Sequence, residues 1–138
     1  MLERTLAILK PDTVAAGDAG KILAMIEAAG FRIAGMKMLS LSEKKAGQFY
    51  AVHRERPFYG SLVKFMSEGP VIPMVLEREN AIPQLRQVMG ATDPAKASDG
   101  TIRKLHGTSI ERNSIHGSDA PDTARFEIGF FFSEYELV

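Results

Sequence analysis

The side chains most capable of chemistry in this sequence are its three histidines, because the chain contains no cysteine. Without a thiol, a nucleophile has to be a histidine, a serine, a lysine or a carboxylate. His116 has the most suggestive surroundings, since it lies in the segment Asn-Ser-Ile-His-Gly-Ser-Asp of residues 113–119. The glycine allows close approach of the backbone, and the following serine and aspartate can orient an imidazole ring or an incoming anion. Chemistry centred on His116 is therefore the first hypothesis.

A neutral imidazole at position 116 can accept a phosphoryl group when one ring nitrogen is free and the other is held by an acceptor. Glu127, on a predicted final strand, is the candidate acceptor. The same spacing also fits a turn-forming histidine on the surface, so this alternative stays open. His106 precedes a glycine too but lacks the Ser-Asp pair, which favours a structural role. His53, on one helix face with Tyr50, is interpreted as a half-buried structural histidine.

Several isolated polar residues have the chemistry of a phosphate site, because phosphoryl transfer depends mainly on positioning and positive charge. Lys10 ends a predicted strand, Arg86 lies on a predicted helix, Arg103 lies in a long predicted loop, and Thr92 adds a hydroxyl. Each cation, taken alone, is more typical of a solvated surface residue. No P-loop accounts for phosphate binding, because the sequence around residues 17–21 lacks the first glycine and the hydroxyl residue of that motif.

Composition and charge exclude several classes of function. The chain has 138 residues with 17 basic and 17 acidic side chains, which is typical of one globular domain over residues 1–138. Zero net charge gives no global footprint for nucleic acid, and only Arg103, Lys104 and Arg112 offer a local basic patch. The absence of cysteine excludes disulfides and cysteine-based metal centres. Without a signal peptide or an apolar run of about 20 residues, we expect a soluble, cytoplasmic protein with no membrane partner.

The elements that must position these side chains follow from hydrophobic periodicity and turn signals. The pattern predicts four strands, over residues 5–9, 31–41, 71–76 and 128–132, with Pro73 at an edge or a bulge. It predicts about five helices, over residues 20–29, after a capping box at 40–43, over 58–66, after the N-cap Asn80 and over 121–125. Residues 90–116 are predicted to form one long, functional loop. These elements fit a parallel α/β sheet or, slightly better, a small α+β sandwich with helices on one face.

Six short segments, in their order and near their spacing, resemble the nucleoside diphosphate kinase family over nearly the whole chain, from Arg4 to Glu136. They are Lys10-Pro11-Asp12, Arg56-Pro57-Phe58-Tyr59, Ser67-Glu-Gly69-Pro70-Val71, Met89-Gly90-Ala-Thr92-Asp-Pro94-Ala95, Gly100-Thr-Ile-Arg103 and Asn113-Ser-Ile-His116-Gly117-Ser118-Asp119. The resemblance implies a ferredoxin-like α+β sandwich with a four-stranded antiparallel sheet covered by helices. It also implies a ping-pong kinase that passes the γ-phosphate of a nucleoside triphosphate, typically ATP, to the histidine and then to a nucleoside diphosphate.

The resemblance further implies a role for each of twelve residues. His116 matches the nucleophile, Glu127 and Ser118 match the residues that fix its ring, and Tyr50 matches the hydroxyl beside it. Lys10 and Asn113 match the ribose and phosphate end, Arg86, Thr92 and Arg103 match the phosphate clamp, and His53 lies near the phosphates. Phe58 and Ile110 match the apolar residues on the two sides of the base. Stacking is available to every base, so this pocket predicts broad base specificity.

Further expectations concern the metal, the assembly and an alternative function. Mg²⁺ is expected to bridge the nucleotide phosphates without a metal site of the protein itself, with Asp119 at most a water-mediated contact. The resemblance implies a homo-oligomer, either a tetramer or a hexamer. Residues 104–107, Lys-Leu-His-Gly, depart from the family in a loop that helps form its subunit contacts, which bears on assembly more than on chemistry. The alternative is a non-catalytic ferredoxin-like regulatory module that binds a nucleotide without turnover.

Overall fold

A computed structural model describes all 138 residues and contains one main antiparallel sheet. The strands are β1 (Leu2–Leu9), β2 (Arg32–Met36), β3 (Leu39–Ser40), β4 (Pro70–Glu79) and β5 (Ile115–Gly117). The helices are α1 (Pro11–Ala16), α2 (Ala19–Ala28), α3 (Glu43–Phe49), α4 (Tyr59–Met66), α5 (Ala81–Met89), α6 (Ile102–His106) and α7 (Pro121–Phe131). Single 3₁₀ turns cover Ala51–His53, Pro94–Lys96 and Glu134–Glu136.

The strand order in the sheet is β2-β4-β1-β5, with the short β3 also paired to β4. Every pairing is antiparallel, which confirms the predicted ferredoxin-like α+β fold and excludes the parallel alternative. None of the helices is both long and apolar enough to cross a membrane.

Helices cover both faces of the sheet, so the expectation of helices on one face was wrong. The reason is visible in β1, where residues 5–9 are all completely buried. Because strand side chains alternate, Leu6 and Ile8 join one apolar core with α3, α4 and α7, while Ala7 and Leu9 join a second core with α2, α5 and α6. The central strand thus needs an apolar layer on each side.

The first part of the chain follows the predicted elements closely. Helix α2 buries Ile22 and Ile26, and Gly30 follows it with φ of 90°, the left-handed conformation expected for a residue just beyond a helix. Strand β1 ends at Leu9 and delivers Lys10, after which Pro11 opens α1. Proline is favoured there because the first helical N–H has no partner inside the helix.

Two local predictions in the middle of the chain need correction. The predicted strand over residues 31–41 is divided into β2 and β3, and the cap of α3 is Ser42 rather than Ser40, since the Ser42 side chain accepts a 3.1 Å hydrogen bond from the Lys45 N–H. Pro73 lies in the central strand β4, neither at an edge nor at the bulge, which falls at Ile33/Gly35 of β2. Pro73 is tolerated because the chain opposite it lies in the gap between β2 and β3.

The predicted final strand over residues 128–132 was wrong, because α7 continues through this segment to Phe131. Apolar residues at positions 124, 128 and 131 have helical spacing, and Phe131 packs with its ring centroid 5.2 Å from that of Phe49. Glu127 therefore lies on a helix, and the last strand is β5, which carries His116. The predicted loop over residues 90–116 in fact includes a 3₁₀ turn, α6 and the start of β5.

Candidate active site

A cavity of about 760 Å³ opens beside β5 and brings together ten of the twelve candidate residues. Its lining includes Lys10, Tyr50, His53, Phe58, Arg86, Thr92, Arg103, Ile110, Asn113 and His116. The other two, Glu127 and Ser118, do not line the cavity and are connected to it through the ring of His116. Segments up to about 100 residues apart in the sequence thus converge on one space.

The imidazole of His116 is fixed from one side by a carboxylate. Its Nε2 lies 2.7 Å from Oε1 of Glu127, and Ser118 donates a 2.7 Å hydrogen bond to the same oxygen. Because a carboxylate accepts, the pairing assigns the proton to Nε2 and leaves the lone pair on Nδ1, which has no protein partner. Edge-to-face contacts with Phe49 and Tyr50, at ring-centroid distances of 5.4 and 5.9 Å, further restrict the ring. His116 therefore offers one unprotonated nitrogen in a fixed orientation.

The backbone just before His116 is strained and tightly held. Ser114 has φ of 78°, which is unfavourable for a residue other than glycine. Its N–H donates to the Asp12 carboxylate at 3.1 Å, and its carbonyl accepts from the Lys10 N–H and the Thr13 hydroxyl, both at 2.9 Å. Burial raises the pKa of Asp12, although the nearby charge of Lys10 opposes this. Asp12 was not assigned a role from the sequence, yet its place in the Lys-Pro-Asp segment was the available signal.

Gly117 allows helix α5 to approach β5 directly, as the sequence predicted. A Cβ atom at this position would lie 2.7 Å from the Met89 sulfur and 3.2 Å from a Leu85 methyl carbon, both on α5. A side chain at this position would require Met89 and Leu85 to shift, so glycine lets both side chains pack directly against the strand that carries His116.

Lys10 and Asn113 form a buried polar pair next to the histidine. The Lys10 ammonium donates a 2.8 Å hydrogen bond to Oδ1 of Asn113, whose amide donates a 3.0 Å bond to the Thr92 carbonyl. Burial, and then the charge of Arg103, lowers the pKa of Lys10 to about 8. The ammonium also approaches the carbonyl of Glu111 at 3.4 Å. Glu111 lines the cavity but was not singled out from the sequence, because a glutamate in a polar loop carries no distinguishing signal.

Arg103 is a second buried cation, and Arg86 is an exposed one. Arg103 donates to the carbonyls of Gly90 at 3.1 Å and Ile115 at 2.7 Å, while its buried Nε has no partner. Burial, followed by the charge of Arg86, lowers the pKa of Arg103 to about 10. Arg86 donates a 2.8 Å hydrogen bond to Asp119, and both of these side chains are mostly exposed. Two positive charges beside the same cavity favour the binding of an anion that carries several negative charges.

Tyr50 places a hydroxyl in the same buried environment. Its oxygen has no hydrogen-bond partner, and burial, reinforced by the charge of Glu127, raises the pKa of Tyr50 above its ordinary value. The phenol therefore remains protonated and available as a donor at neutral pH.

The other end of the cavity is apolar and open. Phe58 is 47% exposed and Ile110 is 61% exposed, so both present apolar surface at the mouth. His53 packs against Phe58, with ring centroids 5.6 Å apart. The cavity thus combines a cationic, buried end with an apolar mouth formed by Phe58 and Ile110.

The basic patch predicted for Arg103, Lys104 and Arg112 is not formed. Arg103 is buried in the cavity, and Arg112 donates to the Glu68 carboxylate at 3.1 and 3.2 Å while its guanidinium lies 4.7 Å from the Phe65 ring centroid. His106 lies outside the cavity, with Nδ1 3.4 Å from an Asp18 oxygen.

A carboxylate-bound histidine facing buried cations, on an antiparallel ferredoxin-like sheet, is the arrangement of a phosphotransferase that carries a phosphoryl group on histidine. The comparisons define the class further, since residues 3–137 match the profile of the family described as Nucleoside diphosphate kinase. The chain belongs to the nucleoside diphosphate kinase family. Enzymes of this family transfer phosphate between nucleotides through a phosphohistidine, so the expected enzyme class is confirmed.

Individual relatives agree over the full length of the chain. A nucleoside diphosphate kinase of Geobacter sp. (strain M21) is 58% identical over 137 residues, covering 99% of this chain and 100% of the relative. One of Nitratidesulfovibrio vulgaris (strain DP4) is 55% identical over 138 residues, covering 100% and 99%. The solved Aquifex aeolicus enzyme superposes with a TM-score of 0.98 at 48% identity and full coverage of both chains. The Halobacterium salinarum enzyme, solved in complex with CDP, gives 0.95 at 42% identity, covering 100% and 92%.

Proposed function

We propose that this protein transfers the γ-phosphate of a nucleoside triphosphate, typically ATP, to a nucleoside diphosphate by a ping-pong mechanism through His116. The observation that carries the proposal is the 2.7 Å contact between Nε2 of His116 and Glu127, which leaves Nδ1 unprotonated in a cavity with two buried cations. A histidine serving only as a turn former needs neither the buried carboxylate nor the cations.

In the first half-reaction, the Nδ1 lone pair of His116 forms a bond to the γ-phosphorus. The bond from this phosphorus to the β,γ-bridging oxygen breaks, and the nucleoside diphosphate leaves with that oxygen. In the second half-reaction, a β-phosphate oxygen of another nucleoside diphosphate attacks the phosphorus, the P–N bond breaks, and the lone pair returns to Nδ1. One cavity serves both halves because donor and acceptor differ only in the transferred group.

Glu127 and Ser118 keep His116 reactive. The carboxylate accepts the Nε2 proton, so it selects the reactive tautomer and stabilises the positive charge that develops on the ring as the P–N bond forms. The Ser118 hydroxyl donates to the same carboxylate oxygen and holds it in place. The Tyr50 ring lies edge-to-face with the imidazole, and its unpartnered hydroxyl would donate to a phosphoryl oxygen on His116.

Lys10, Arg86 and Arg103 stabilise the charge on the phosphates, and Thr92 and Asn113 add polar contacts. Such preorganised donors accelerate the reaction because they need no reorientation when the charge moves. His53 lines the cavity beside Phe58 and would lie near the phosphates. The base then lies between Phe58 and Ile110, where stacking on the exposed ring accepts purines and pyrimidines alike.

The donor set of the cavity fits a divalent cation that enters with the nucleotide. No three carboxylate or histidine side chains converge on one point, and Asp119 is engaged by Arg86, so Asp119 would contact Mg²⁺ through water at most. Mg²⁺ held by the phosphates would neutralise part of their charge during transfer.

Three broader proposals accompany this function. Residues 1–138 act as one kinase domain, supported by two apolar cores that share one sheet. The protein works as a homo-oligomer, a tetramer or a hexamer, as the family resemblance implies. It works in the cytoplasm, where nucleoside triphosphates and Mg²⁺ are abundant.

The decisive experiment is to incubate the purified protein with γ-labelled ATP and Mg²⁺ and to add unlabelled GDP. We expect an acid-labile, base-stable label on His116 that moves quantitatively to GTP. His116→Ala should take no label, whereas the matched control His106→Ala should label normally because His106 lies outside the cavity. A wild-type protein that binds ATP without taking label would instead be a non-catalytic nucleotide-binding module.

A further inference from the structure

We propose that Ser61 and Glu111 are positioning residues that hold one wall of the base cleft. The inference rests on the proposed function, in which the base lies between Phe58 and Ile110. Their side-chain contact involves none of the residues assigned to the phosphates, so its loss would be confined to how well the base is held.

The wall that carries Ile110 is a small, self-contained turn. The Thr108 N–H donates a 2.8 Å hydrogen bond to the Arg112 carbonyl, and the Arg112 N–H donates a 3.1 Å bond to the Ser109 hydroxyl. Ile110 projects from the tip of this turn and is 61% exposed, so apolar packing does not fix its position. The contacts that connect this turn to the rest of the protein therefore decide where Ile110 lies.

The opposite wall belongs to α4, and Ser61 connects the two walls. Phe58 immediately precedes α4, and Leu62 on this helix also lines the cavity. The Ser61 hydroxyl lies 2.8 Å from Oε2 and 3.1 Å from Oε1 of Glu111, within hydrogen-bond distance of both carboxylate oxygens. A hydroxyl bonded to a carboxylate is among the stronger side-chain hydrogen bonds. The pair therefore spans the cleft beside the base.

Two other contacts connect the turn to the rest of the protein. Arg112 is bonded to Glu68, just beyond the far end of α4, and the Glu111 carbonyl lies 3.4 Å from the Lys10 ammonium at the phosphate end. The Ser61 contact is the one that joins the Glu111 side chain, next to Ile110 in the sequence, to the helix that follows Phe58. Its loss would release the base wall while the turn stays attached at the phosphate end.

The expected effect is a loss of base binding without a loss of phosphate binding. Ser61→Ala should weaken ADP binding about 3- to 10-fold, the scale of one hydrogen bond to a charged acceptor at a partly solvated site. Inhibition of phosphoenzyme formation by inorganic pyrophosphate, which has no base, should be unchanged. The kcat/KM for ATP should fall by the same factor as ADP affinity, while the rate of phosphoenzyme formation at saturating ATP should be retained.

The experiment compares Ser61→Ala and Ser61→Thr with the wild-type chain. The threonine variant keeps the hydroxyl and should restore ADP affinity, since position 61 is exposed and accepts a methyl group. Ser67→Ala is the matched control, because Ser67 follows the same helix and bonds only to the backbone carbonyls of Val63 and Lys64. Thermal unfolding of each variant verifies that it is folded.

Equal losses for ADP and pyrophosphate would overturn the proposal, because they would indicate a general structural role. Unchanged ADP binding in Ser61→Ala would overturn it as well. These outcomes are distinct from failure of the proposed function, which would appear as a wild-type protein that forms no phosphoenzyme from ATP.

Discussion

Burial of the charged Lys10 should cost the folded protein stability at neutral pH, and a variant that lacks this charge tests that cost. The test substitution is Lys10→Met, which keeps an unbranched, apolar stem and removes the ammonium. Lowering the pKa of Lys10 from 10.5 to about 8 corresponds to about 3 kcal/mol of unfavourable free energy for the charged folded form. The substitution also leaves Oδ1 of Asn113 without its 2.8 Å partner, which costs about 1–3 kcal/mol. Lys10→Met should therefore be about as stable as wild type at pH 7, or up to about 2 kcal/mol more stable.

The pH dependence separates these two contributions. The unfolded chain keeps the Lys10 proton up to about pH 10.5, whereas the folded chain releases it near the lowered pKa of about 8. Between these values the unfolded state binds more protons, so the free energy of unfolding contributed by Lys10 rises with pH. The penalty is fully present below pH 8 and is removed as the pH approaches 10.5. The stability of Lys10→Met relative to wild type should thus fall by about 3 kcal/mol between pH 7 and pH 10.5, so that wild type becomes the more stable protein.

Urea unfolding of both proteins at equal protomer concentration measures this difference. Titrating groups far from Lys10 contribute equally to both chains and cancel in the comparison, whereas its coupled neighbours Asp12 and Arg103 contribute to the difference. Activity should respond in the opposite sense, with kcat/KM for ATP falling by about 10²–10³ in Lys10→Met because a charge-stabilising donor is lost. A stability difference that does not change with pH would refute the conclusion that Lys10 carries a desolvated charge.

Three further substitutions test separate parts of the site. Glu127→Gln should slow phosphoenzyme formation by about 10²–10⁴-fold, as in other imidazoles that lose their carboxylate, and an unchanged rate in rapid-quench labelling would contradict its role. Gly117→Ala should lower the free energy of unfolding in urea by about 1–3 kcal/mol, because the new Cβ meets the Met89 sulfur at 2.7 Å and the buried Met89 and Leu85 side chains must shift; unaltered stability would show that these side chains move aside easily. Phe58→Ala should weaken ADP, GDP and CDP binding alike by about 1–3 kcal/mol in calorimetry, and a loss confined to one base would indicate edge recognition instead of stacking.

The elements with strong local signals could be predicted from the sequence, and those fixed by distant contacts could not. Helix α2 has apolar residues at helical spacing and a glycine just beyond its end, so local information is sufficient. The segment rich in phenylalanine near the end of the chain suggested a strand, because aromatic residues favour strands when considered alone. In the fold it continues α7, since Phe131 has to pack against Phe49 on α3. Strand β5 has only three residues, too few for any periodicity to be visible.

The candidate site was more predictable than the fold around it, because residue types and motif order carry information that periodicity does not. Glu127 was predicted to hold the His116 ring, although it was wrongly placed on a strand. In the structure it lies on α7, and its carboxylate oxygen is 2.7 Å from Nε2 of His116. The contributions of Asp12 and Glu111 could not be predicted in the same way. Asp12 accepts a hydrogen bond from the Ser114 N–H, 102 positions away in the chain. Glu111 approaches the Lys10 ammonium through its carbonyl, and its carboxylate accepts a hydrogen bond from Ser61 on α4. Such contacts depend on tertiary geometry alone.

The electrostatics of the cavity connect its cost in stability to its chemistry. Lys10 and Arg103 are both desolvated, and the charge of Arg103 contributes to the lowered pKa of Lys10. Both cations bond mainly to neutral amide and carbonyl oxygens, whereas the exposed Arg86 has a carboxylate partner. The charges of Asp12 and Glu111 oppose the lowering of the Lys10 pKa, but burial and the charge of Arg103 outweigh them. The folded protein thus compensates its buried positive charge only in part, and a polyanionic nucleotide that enters the cavity would complete the compensation.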